Sequence, residues 1–169
     1  MEFKEYLIKK RKTIKESILS VLLYIAALIV SFAAFALLPS MFSSLSALLA
    51  AAAFYGAYRL STKFNVEYEY IITGDSVDID AIYNAARRKR IISFSVKDVE
   101  IIASVNDVNN NHLLKGEFKN TIDATSGFDA KVYFAVVEKN GRLLVKFEPP
   151  HAALEVLKKF APSKVVITD

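Results

Sequence analysis

Residues 17–58, bracketed by Glu16 and Arg59, carry no charged side chain. Such a run is roughly twice what one helix needs to cross the ~30 Å hydrocarbon core of a bilayer. Pro39-Ser40 interrupts it once. The simplest reading is a helical hairpin in a membrane, with spans over about 18–38 and about 41–58 joined by the uncharged turn Leu38-Pro39-Ser40-Met41. Backbone amides in lipid must be satisfied within the segment, so helices are the form these spans can take. A secretory signal cleaved at Ala34-Phe35-Ala36 is the weaker reading, because a second apolar segment follows at once. A buried soluble hairpin is weaker too. Helices apolar on all sides need a large protein around them, and this chain has only 169 residues.

The net charge of +4 gains meaning once it is located. Lys4, Lys9, Lys10, Arg11, Lys12 and Lys15 outweigh Glu2, Glu5 and Glu16 before the first span, and Arg59 and Lys63 follow the second. Beyond Arg59, basic and acidic residues balance, so the basic pI reflects the membrane flanks and implies no nucleic-acid partner. Positive charge flanks both outer ends of the hairpin and is absent from its turn. The positive-inside rule then puts both termini in the cytoplasm of a multi-pass cell-membrane protein. The flank Phe3–Ser17 is expected to form a helix continuous with span one, setting topology and, in a competing reading, touching anionic lipid. The division expected is residues 1–62 for flank and hairpin and residues 63–169 for a cytoplasmic domain.

Span two is rich in small side chains. Ser43, Ala47 and Ala51, and also Ala52 and Gly56, have the spacing that lets helices approach closely. Their expected partner is Ala27, Ser31 and Ala34 of span one, with homo-oligomerisation as the competing use of that face. Tyr55 and Tyr58 stand near the exit of span two, where amphipathic rings favour the headgroup level.

After Lys63 the pattern alternates with period two. Val66, Tyr68, Tyr70 and Ile72 share one face of a first strand, Gly74-Asp75 turns the chain, and Val77 and Ile79 continue in a second. Arg87-Arg88-Lys89-Arg90 reads as a basic loop before a third strand, Ile91–Val96. Val99–Val105, His112–Lys119, Lys131–Glu138 and Arg142–Phe147 complete seven strands, with Asn140-Gly141 as the strongest hairpin signal. Pro149-Pro150 suits a helix start, and Ala153, Leu154, Leu157 and Phe160 form its apolar stripe. Val165–Ile167 is a candidate edge strand.

Seven strands and a closing amphipathic helix resemble a pleckstrin-homology-like domain. The chain resembles small bacterial membrane proteins that carry two N-terminal spans and a bacterial PH-like domain. The residues behind the resemblance are Tyr68-Glu-Tyr-Ile-Ile-Thr-Gly-Asp75, Ser95-Val-Lys-Asp-Val99 and Phe147-Glu-Pro-Pro150 with Leu154 and Leu157–Pro162. It implies an α+β fold, in which the hairpin precedes a seven-stranded antiparallel sandwich or barrel capped by a C-terminal helix.

Candidate chemistry is sparse. Arg87, Arg88, Lys89 and Arg90 form the sharpest candidate, a grip for phosphate or an anionic headgroup, set against the plainer reading of a solvated turn. Asp75, Asp78 and Asp80 lack the glycine and terminal glutamate of a calcium loop, and alternation makes the last two the wet side of a strand. The two histidines, His112 and His151, have no metal-ligand spacing. The absence of cysteine excludes thiolate chemistry and disulfides. Tyr68, Tyr70, Tyr133, Phe134 and Phe147 read as core. No cofactor is expected.

The expectation is a non-enzymatic binding or scaffold protein in the lipid bilayer, with a protein, peptide or anionic headgroup as partner. The alternatives are an accessory subunit held in a larger membrane complex through span two, and an enzyme with a site among Asp98, Asp123 and His112.

Overall fold

The computed structural model describes residues 3–128, 131–139 and 141–168. The chain divides into two compact units, Lys12–Val66 and a second made of Met1–Arg11 with Glu67–Asp169.

The first unit is a helix pair. Helix α1 runs Ile14–Leu37 and α2 runs Ser43–Ser61, with a 3-10 turn at Ser40–Phe42 between them. Thr13 and Glu16 close a reciprocal capping box at the start of α1, satisfying two backbone donors that a helix end leaves open. Pro39 stands where α1 has ended, because its ring cannot continue the ladder. Both helices are long and apolar enough to cross a membrane, and large apolar side chains such as Leu28, Ile29, Phe32 and Leu48 are exposed.

On α1 the contact line is Ala27 and Ser31, with Ala34 half-buried, as the spacing predicts. On α2 it is Ser46 and Ala57, with Ala50 and Ala53 half-buried between them. This line is rotated away from the expected stripe. Ser43, Ala47, Ala51 and Ala52 are exposed, and Gly56 is half-buried. The reason is polar. Ser46 donates its hydroxyl to the Ala34 carbonyl at 3.0 Å, and Tyr24 and Ser61 hydroxyls meet at 3.3 Å, so the α2 face with hydrogen-bonding partners turns inward.

The second unit holds two four-stranded sheets. The first has the order β1-β2-β3-β4, with β1 Phe3–Lys9, β2 Val66–Thr73, β3 Ser76–Tyr83 and β4 Arg87–Ser95. The second has the order β5-β7-β8-β6, with β5 Val99–Ser104, β6 Asn120–Asp123, β7 Tyr133–Glu138 and β8 Arg142–Phe147. Helix α3, His151–Phe160, buries Ala153, Leu154, Val156 and Leu157, while Phe160 is half-exposed.

Among the described residues, eight strands replace the seven expected. The addition is β1, in the segment expected to be a helix. It pairs antiparallel with β2 from Phe3 opposite Thr73 to Lys9 opposite Glu67. Lys4, Tyr6 and Ile8 alternate with Glu5, Leu7 and Lys9, so the flank has the period of a strand and finds a partner in the most strongly alternating strand of the chain. The first eleven residues therefore group with the sheets rather than with the helices.

The second correction concerns the fifth expected strand. His112–Lys119 holds a 3-10 turn, Asn111–Lys115, and the strand comes later, at Asn120–Asp123. That strand runs parallel to β8, so the sheet is mixed and not purely antiparallel. Leu113, Leu114 and Phe118 are spent covering Ala103, Phe134, Val136 and Leu144 on one face of the second sheet. Val165 makes a single bridge to Ile102 instead of an edge strand. Asn140 of the expected turn lies outside the described residues. Gly141 has φ +113°, a conformation glycine reaches without steric cost, and β7 and β8 pair from Tyr133–Phe147 to Glu138–Arg142.

The core lies between the sheets. Tyr70, Phe94 and Phe147 are fully buried there, and the Tyr70 and Phe147 rings meet edge to face at 5.9 Å. The Tyr70 hydroxyl donates to the Ala124 carbonyl at 2.5 Å and accepts from the Glu148 N–H at 3.1 Å. Burial pushes its phenol well above the ordinary range, so it stays a neutral donor.

Candidate functional site

Arg87–Arg90 stands in strand β4 and not in a loop. The connection from β3 is the tight turn Tyr83–Ala86, closed by an Ala86 N–H to Tyr83 carbonyl bond of 3.1 Å. Asn84 and Ala85 both have positive φ, 51° and 52°. Such a mirror-image turn matches the right-handed twist of its flanking strands, which lets the basic run fold straight back onto β3.

A bulge decides which way the cations point. Ile79 pairs with Ile92, yet Asp80 pairs with Arg90, so Ile91 is extra on β4. One extra residue reverses the facing of everything before it. Ile92 and Phe94 face the core, so Arg90 and Arg88 would follow them inward on a regular strand. The bulge sends them to the outer face instead, opposite Asp80 and Ile82, and leaves Lys89 and Arg87 opposite Ala81 and Tyr83.

On that outer face the two arginines meet carboxylates. Arg90 bonds Asp80 through Nε and reaches Asp78 Oδ2 at 2.9 Å through Nη1. The contact holds the guanidinium even more firmly protonated, mainly through the Asp80 hydrogen bond. Arg88 Nη2 lies 2.7 Å from both Glu69 oxygens and 3.8 Å from Glu5 Oε1. Glu69 is 4% exposed and Asp80 2% exposed. Burial first, and then a hydrogen bond with the Glu5 carboxyl, hold Glu69 above the usual carboxylate range against the opposing pull of Arg88. The expected quartet is thus two pairs with different work. Arg88 and Arg90 neutralise buried acids contributed by β2 and β3. Arg87 and Lys89 are exposed and have no ion-pair partner among the described residues.

The remaining candidates are dispersed. Asp75, beside Gly74 (φ +63°) in the β2–β3 turn, lies 3.0 Å from Lys97 Nζ and accepts from the Ser95 hydroxyl at 3.0 Å. Those contacts, Lys97 first, hold it below the ordinary carboxylate range. His112 Nδ1 sits 2.9 Å from the Asn109 carbonyl, and His151 Nδ1 3.7 Å from Glu155. Asp123 accepts from the backbone and hydroxyl of Thr125, and Asp98 belongs to the short turn between β4 and β5. The five core aromatics are buried as expected.

Sequence reasoning missed a concavity beside α3. A cleft of about 310 Å³, lined by Ile8, Tyr133, Pro149, Pro150 and Leu154 among others, is of the size that holds small ligands. Its signal was hidden because Ile8 belongs to the unrecognised β1.

Two four-stranded sheets and a C-terminal helix are the α+β frame that carries the basic strand. The chain belongs to the family described as Bacterial PH-like domain (DUF6106), whose model matches residues 2–167. No curated protein and no solved structure matches it.

Proposed function

We propose that the protein is a membrane-anchored binding or scaffold protein, with α1 and α2 as a transmembrane hairpin that holds the PH-like domain at the cytoplasmic face of the cell membrane. One observation carries the reading. Lys9 and Glu67 are register partners in adjacent strands, so the chain leaves the sheet for the helices and returns one strand away. Two spans that begin and end on one side of a bilayer meet that requirement, whereas one span would put β1 and β2 on opposite sides. The uncharged turn and the positive outer ends support the cytoplasmic side. The anchor raises the concentration of the domain near other membrane components, where Arg87 and Lys89 supply contacts for an anionic partner.

The chain has no cysteine, so the topology is open to single-site labelling. In intact cells Ser40→Cys should react with a membrane-impermeant maleimide and Lys158→Cys should react only after lysis. Extraction of the protein from membranes by alkaline carbonate, or labelling of the Ser40 variant from the cytoplasmic side alone, overturns the proposal.

A second reading has its own observation. Ser43, Ala47, Ala51 and Ala52 are exposed, leaving a small-residue stripe on α2 open to a helix of another protein. An accessory subunit of a larger complex would crosslink from this stripe to one stoichiometric partner.

A further inference from the structure

We propose that the free edge of β4 over Arg87–Arg90 takes an acidic peptide segment as an added strand, whose alternate carboxylates meet Arg87 and Lys89. This deepens the binding role above and rests on it. Strand β4 has β3 on one side and no strand on the other among the described residues. On such an edge every second residue points its N–H and C=O away from the sheet, ready to pair.

The two halves of the edge differ. Near its end, Lys139 Nζ caps the Ser93 carbonyl at 3.0 Å. No such cap reaches Arg87–Arg90 among the described residues. Arg87 and Lys89 stand on one face, ~7 Å apart along the strand, which is also the spacing of alternate side chains on a paired strand.

Charge selects the occupant. A second copy of this edge would bring like charges together, so self-pairing is disfavoured. An acidic strand gains two charge contacts with side chains that have no ion-pair partner among the described residues. A lipid surface would engage the charge alone and leave the N–H and C=O groups of the edge unpaired, whereas an added strand engages both.

The test uses the full chain in uncharged detergent micelles and a fluorescent peptide of alternating valine and glutamate. Saturable binding is expected, weakened about ten-fold by Arg87→Ala with Lys89→Ala. Methylation of alternate peptide amides should weaken it similarly, and the bound peptide should slow amide exchange in β4. The double variant should keep the wild-type unfolding temperature, since neither residue holds a carboxylate. The proposal is overturned if the wild type shows no saturable binding, or if the double variant or the methylated peptide binds as well. It is also overturned if phosphatidylglycerol vesicles, and not the peptide, are captured through Arg87 and Lys89. Membrane anchoring is read separately by the cysteine labels, so failure here leaves the anchor standing.

Discussion

Lys9 and Glu67 face each other at the ends of β1 and β2, although 57 residues separate them in the chain. The helix pair is therefore an insertion into a β-hairpin, occupying the place where most hairpins have two to five residues. Both ends of the insertion enter one sheet, and Arg11 fixes the first end further. Its N–H donates to the Ser126 carbonyl at 2.7 Å, and its guanidinium lies 5.7 Å from the centre of the Phe128 ring.

Tyr70→Phe should cost about 1–3 kcal/mol, because the hydroxyl serves two buried backbone groups, the Ala124 carbonyl and the Glu148 N–H. Thermal unfolding in detergent, compared with Phe147→Leu as a packing control, measures it. An unchanged unfolding temperature would show that the Glu148 N–H finds another acceptor.

The two kinds of cation on β4 should separate by stability. Arg90→Ala strands the buried Asp80 carboxylate and should cost about 2 kcal/mol, less than a fully enclosed pair because the Arg90 side chain is 50% exposed. Arg87→Ala should stay within about 0.5 kcal/mol of wild type. Equal losses in chemical denaturation would show that Arg87 has a structural partner after all.

Glu69 should give the domain an acid-side gain in stability. Its carboxyl binds a proton more readily folded than unfolded, so the protonated form favours the native state. The contribution is complete below the unfolded value near 4.5 and fades as pH rises through the higher folded value. The difference in unfolding free energy between wild type and Glu69→Gln should shift toward the wild type on lowering pH from 7 to about 5. A flat difference across that window would mean that the Arg88 contact outweighs burial.

Ala85 holds a left-handed backbone, φ 52°, where a Cβ is crowded. Ala85→Gly should stabilise the domain by about 0.5–1 kcal/mol, the strain relieved exceeding the entropy glycine adds to the unfolded chain. A lower melting temperature for this variant would place the turn in another conformation.

The sequence was legible where one period dominates. The long apolar run announced α1 and α2, alternation announced β2 and β3, and a short run apolar on both faces followed by a hairpin signal announced β7 and β8. Strand β1 hid behind its lysines, since a basic flank beside an apolar span already has an explanation in topology. Its real partner lies beyond the hairpin, outside any local window. The basic quartet was read as a unit because four cations in a row look alike. One extra residue at Ile91, invisible in composition, divides them into two that hold buried acids and two that have no ion-pair partner among the described residues. The α2 contact line was missed by one helical step, because small size was weighed and the serine hydrogen bond was not.

A sheet whose first strand is made before the helices and whose second is made after them cannot close early. Strand β1 leaves the ribosome and then waits for β2 while the 57 residues between Lys9 and Glu67 are made. On the proposed topology, the helix pair must return to its starting side before those two strands can meet. On that topology, a molecule that inserts wrongly would leave β2 with an open edge where β1 belongs.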